Sequence, residues 1–143
     1  MMKNVLTRNN VLYNWRYYAM YLLPLCFIFP YGKYRCTHKD FKDPLETSLF
    51  FGLDGWSGTH VLFFLMMGYL FPKSFVLSML LGISWELFEH LYGKHRPGWL
   101  GGYGDCPNLQ SDRTEDGNWW YGKWTDIVCN ALGFLIGKGL APL

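Results

Sequence analysis

The sequence predicts an all-α polytopic membrane protein of about four transmembrane helices with one long polar loop, and three observations carry that prediction. Half of the 143 residues are apolar and a fifth are aromatic. Only 17% are charged, where a soluble domain carries about a quarter. The apolar residues are clumped into four stretches, each near the lower end of the roughly 17–25 residues that cross a bilayer core. A soluble core of such stretches would need far more polar surface to cover it. The length suits one domain, residues 1–143.

The first stretch, Tyr17 to Tyr31, contains Pro24 and is expected to end near Pro30. Membrane helices tolerate such kinking prolines. Lys3, Arg8 and Arg16 precede it, and no small-residue cleavage site is found before Tyr31, so it reads as a retained helix rather than a cleaved signal. The segment Gly32 to Gly55 is mixed in charge. Within it, LETSLFFGLDGW carries Leu49, Phe50, Phe51 and Trp56, a set suited to lie along a membrane interface. A second helix is expected over Trp56 to Phe71 and a third over Phe75 to Tyr92. FPKS, Phe71 to Ser74, makes the tight turn of a hairpin between them. Gly93 to Lys123 is long, polar and rich in Gly, Pro and Asp, and loops of that length are usually functional or disordered. Trp124 to Leu140 is the fourth helix. With four spans, both long loops share one face, and their Lys and Arg content favours the cytoplasm for it. The organelle is left open.

Several function classes fall away. A net charge of +2 makes no electrostatic case for nucleic acid. Four cysteines without a CxxC pair make neither a disulfide framework nor a zinc site.

The polar residues within the apolar stretches carry the functional signal. His60 opens the second helix, Glu86, Glu89 and His90 close the third, and Asp126 opens the fourth. All therefore sit near the same membrane face. Glu86 stands i, i+3 from Glu89 and i, i+4 from His90, so one helix face carries the three. On the fourth helix Asp126, Asn130, Gly133 and Gly137 recur at four, three and four residues. The two glycines form a GxxxG, which admits a close neighbour helix. That stripe delivers Asp126 and Asn130 into the bundle. Charges at such depth cost roughly 2.5–3.5 kcal/mol each and are usually functional or paired. Three adjacent carboxylates repel unless protonated or bridged by a cation. Glu86, Glu89 and Asp126 are thus candidate ligands for a divalent cation, their oxygens suiting Ca²⁺, Mg²⁺ or Mn²⁺ better than Zn²⁺. Each residue also has a plain structural reading: hydrogen-bonded neutral glutamates, an interfacial His60, Asp126 as an N-cap, and Asn130 as interhelical glue.

ISWELFEH, followed by WWYGKWTDIVCNALGFLIG, resembles the catalytic core of the base-exchange phosphatidylserine synthases. The matching residues are Trp85, Glu86, Leu87 and Glu89, then Trp119 and Trp120, then Asp126, Ile127, Cys129, Asn130 and Gly133, with His60 in GTHVLFF matching the family's upstream histidine. The resemblance covers about half the chain. It implies a calcium-dependent exchange of a phospholipid head group for serine or another small amino alcohol. Glu86, Glu89 and Asp126 would hold the metal, His60 would be the acid and base, and Asn130 would join the catalytic set. The family is acidic two residues before and directly after its tryptophan pair, where this chain has Gly117 and Tyr121. Glu115 and Asp116 stand nearby as substitutes, with His90 as a further candidate. A looser resemblance is to VanZ-like membrane proteins, which share a histidine at a helix start and a D-x-x-x-N-x-x-G helix but usually have Gln at the position of Glu89. The alternative class is a non-catalytic small subunit of a larger membrane assembly or homo-oligomer.

Overall fold

The computed structural model describes residues 14–38, 42–95 and 122–142. Glu115, Asp116, Trp119 and Trp120 lie outside them. The described chain is all-helical: α1 (Trp15–Thr37), a 3₁₀ turn (Pro44–Glu46), α2 (Gly55–Leu70), α3 (Phe75–His95) and α4 (Trp124–Leu140), with no strand among the described residues. The four helices fall on the four apolar stretches. None of them is long and apolar enough to cross a membrane. At 1.5 Å per residue α2 and α4 are about 24 and 26 Å long, against a hydrocarbon core of about 30 Å. The longer α1 and α3 are diluted by polar and charged residues toward their ends.

α1 runs past the expected stop at Pro30 and ends at Thr37. Proline removes a backbone donor and crowds the preceding turn, so something outside the helix must hold its last part. Asp43 does so. It accepts hydrogen bonds from the Tyr31 hydroxyl (2.7 Å), the Trp56 indole (3.1 Å) and the Leu45 amide (2.8 Å). The end of α1, the 3₁₀ turn and the start of α2 are thereby tied to one buried carboxylate.

α2 begins with a capping box. Asp54 accepts from the Ser57 amide, and the Ser57 hydroxyl reaches back toward the Asp54 amide. Just before it, Phe51 and Gly52 turn the chain at φ 52° and 75°. That turn leaves Leu49, Phe50 and Phe51 exposed. Ser74 closes the turn after α2, its amide and hydroxyl both bonding the Phe71 carbonyl. The hairpin of α2 and α3 is as expected.

The tightest packing is α2 on α4. Gly133 lies against the Val61 carbonyl and Gly137 against the Leu65 carbonyl, while Gly68 of α2 lies reciprocally against the Phe134 carbonyl. A Cβ at any of the three would overlap a backbone oxygen. The glycine stripe therefore faces α2. Away from the capped end, Tyr17, Phe64, Met67 and Phe134 form the core. Tyr17 anchors α1 there, edge-on to Phe71 and with its hydroxyl 2.9 Å from the Ser78 hydroxyl. Large apolar side chains remain exposed on all four helices, among them Leu22 and Phe27, Leu62 and Leu70, Val76 and Leu80, and Leu132 and Ile136.

Candidate functional site

The start of α2, the second half of α3 and the start of α4 meet, and Glu86 does not close its helix as expected, since α3 continues past Tyr92 to His95. His60, Glu86 and Asp126 each place a ligand-type atom within 4.8 Å of the others. Three helices thus bring together groups 26 and 40 residues apart in sequence. Glu86 and Asp126 are buried, and His60 is mostly so.

The contacts explain why they point inward. Asp126 lies in the first turn of α4, where the helix dipole favours an acid. It is not the N-cap, a position held by Lys123. Ser57 Oγ stands 2.6 Å from Asp126 Oδ1. The Lys123 amide donates to Glu86 Oε2 at 2.9 Å. Gly122 packs so closely on the Glu86 carbonyl that a side chain there would collide with it. His60 Nδ1 is 2.8 Å from Asn130 Oδ1 and 3.7 Å from Glu86 Oε1. As the amide is oriented, Nδ1 carries the proton and donates to Asn130, which leaves the Nε2 lone pair for chemistry. Gly82 allows this corner to close, since a Cβ there would come 2.8 Å from Asn130 Nδ2.

Two buried atoms at the cluster have no hydrogen-bond partner among the described residues, Glu86 Oε1 and Asn130 Nδ2. A buried polar atom left unpaired costs about 1–3 kcal/mol, so an acceptor and a donor are both open to a ligand. Asn130 borders a cavity of about 540 Å³ between α1 and the hairpin, lined chiefly by Tyr21, Leu25, Ile28, Phe63, Trp85 and Phe88, with His60, Glu89, Asp126 and Asn130 among its polar groups, while Glu86 lies behind that lining. A mostly apolar cavity with a few converging polar groups is the usual form of a small-molecule site.

The expected three-carboxylate set changes in one member. Glu89 lines the cavity but does not join the cluster; the Trp85 side chain hydrogen-bonds it instead. His60 takes its place in the convergent group. His90 is exposed and outside the cluster. The carboxylate oxygens remain fit for a divalent cation, and nothing in the reduced set singles out calcium.

Three residues absent from the sequence reading complete the site. Asp54 is buried, accepts from the Ser57 amide at 2.9 Å, and forms an ion pair with the Lys123 ammonium. The D-x-x-S spacing of Asp54 and Ser57 was a legible cap signal; nothing local marked Lys123. Burial opposes the Asp54 charge, yet the Lys123 and Ser57 contacts prevail and hold its carboxyl below the ordinary 3.8. A lowered folded pKa stabilises above the unfolded value and is lost as pH falls through the folded one. Asp54→Asn keeps a good N-cap and removes the charge. Unfolding followed from pH 7 to below about 4 should show wild type losing more stability than this variant; equal slopes would remove the ion pair from the account.

Comparison with protein-family models, curated proteins and solved structures finds no match for this chain. The likeness to phosphatidylserine synthases therefore rests on the quoted motifs alone.

Proposed function

We propose that the chain is a polytopic membrane protein that exchanges phospholipid head groups with the help of a divalent cation held at Glu86 and Asp126. The observation that carries this is the convergence of His60, Glu86 and Asp126 within 4.8 Å, from three helices, beside an apolar cavity. The outward apolar side chains on every helix support a lipid surrounding, because monomers in water rarely expose large contiguous apolar patches. Helices as short as α2 are accommodated by local bilayer thinning or oligomerisation.

Charge supports the cation. Asp54, Glu86 and Asp126 bring three carboxyl groups to this end of the bundle against the one ammonium of Lys123, a surplus of oxygen ligands that a cation would satisfy. A cation such as Mg²⁺ is commonly held by one or two carboxylates together with substrate phosphate, and it supplies stabilisation of charge on phosphoryl oxygens. The chain's own groups do the rest. His60 Nε2 takes the proton from the hydroxyl of the incoming serine or other small amino alcohol. That oxygen bonds to phosphorus as the bond to the outgoing head-group oxygen breaks, and the imidazolium returns the proton to the leaving alcohol. Asn130 keeps the His60 ring in the tautomer this requires.

In proteoliposomes containing phosphatidylcholine and labelled serine, label should enter lipid with a divalent cation and not with a chelator. Absence of incorporation under Ca²⁺, Mg²⁺ and Mn²⁺, with loss of partner association in Glu86→Gln, would replace the enzyme with an assembly subunit.

A further inference from the structure

We infer that Lys123, Asp54 and Ser57 are positioning residues for the cation, a strut that sets the angle at which Glu86 and Asp126 converge. The inference rests on the cation-binding reading above.

The strut follows from counting donors. Ser57 Oγ has one proton and two carboxylates within reach, Asp126 Oδ1 at 2.6 Å and Asp54 Oδ1 at 3.2 Å. The shorter contact takes it, so the hydroxyl donates to Asp126. Asp54 is served instead by the Ser57 amide and the Lys123 ammonium. Lys123 then uses its own amide on Glu86 Oε2 at 2.9 Å. One residue therefore grips Glu86 through its backbone and the α2 cap through its side chain. The α2 cap in turn grips Asp126 through Ser57. Glu86 keeps Oε1 buried and without a hydrogen-bond partner among the described residues, which is where a ligand is needed.

A cap alone explains less. Closing the first turn of α2 requires the Asp54 carboxylate and the Ser57 amide. It requires neither a serine hydroxyl on Asp126 nor a lysine reaching across from the start of α4. Both additions are accounted for by a need to fix the two carboxylates relative to each other. Groups that orient metal ligands typically change metal affinity 10–100-fold when removed.

The test is Mn²⁺ binding to the purified full chain in detergent, read by electron paramagnetic resonance, beside the unfolding temperature of each variant. Ser57→Ala and Lys123→Met should weaken Mn²⁺ binding 10–100-fold in protein that is still folded. Lys123→Arg, which keeps the charge, should recover part of the loss. Should Lys123→Met fail to fold, Ser57→Ala decides alone. Binding within twofold of wild type in these variants, whatever the change in unfolding temperature, would make the strut purely structural and overturn the inference while leaving the cation site standing. If wild type itself bound no Mn²⁺, the cation reading would fall and the strut with it.

Discussion

Gly137→Ala should destabilise the bundle by about 2 kcal/mol or more, whereas Gly139→Ala, two residues away, should be neutral or slightly stabilising. The new methyl at 137 would overlap the Leu65 carbonyl oxygen and crowd the Tyr69 amide. Both are backbone atoms of a helix and have no rotamer to escape into. Overpacking of this kind costs typically 1–3 kcal/mol, and α2 and α4 can relieve it only by separating. Separation would also carry Asp126 away from Ser57, because the same helix pair aligns them. At Gly139 a Cβ meets nothing within 4 Å, so only the better helix propensity of alanine is felt. Thermal unfolding in detergent compares the two directly. Equal unfolding temperatures would mean that α2 and α4 do not pack through their glycines.

The second large effect is chemical. His60→Ala should lower exchange of labelled serine into lipid by about 10²-fold or more, the usual size of a general acid–base contribution. The helices should still assemble, since His60 is partly exposed and lines the cavity rather than filling the core. Asn130→Ala should act through His60, lowering the rate while leaving substrate affinity largely intact, because it removes the acceptor at 2.8 Å that fixes the imidazole. Retention of full exchange in His60→Ala would assign the proton transfer to another group.

The helices were legible because their signals are local. The apolar stretches marked all four, and FPKS marked the hairpin. The stripe Asp126, Asn130, Gly133 and Gly137 specified one face of α4, and all four residues are buried. The end of α1 was not legible. Tyr31, Asp43 and Trp56 hold it through contacts 12 and 13 residues apart, and Pro30 pointed the other way. The site was legible to the level of which helices meet, although α3 runs on to His95 and so Glu86 lies more than two turns before its end. His60, Glu86 and Asp126 were named from that reasoning, but helical spacing put Glu89 on the same face as Glu86. It could not show that Trp85 would engage it. Lys123 was invisible for a related reason: its role depends on a backbone amide and a long side chain reaching two different helices.

The most direct measurement is an anomalous difference map from crystals of the full chain grown with Mn²⁺. A peak is expected between the second half of α3 and the start of α4, about 2.0–2.3 Å from Glu86 Oε1 and from a carboxylate oxygen of Asp126, at distances usual for small oxygen-bound cations. A map with no peak there, and with Glu86 Oε1 bonded to a protein group or a water instead, would contradict it.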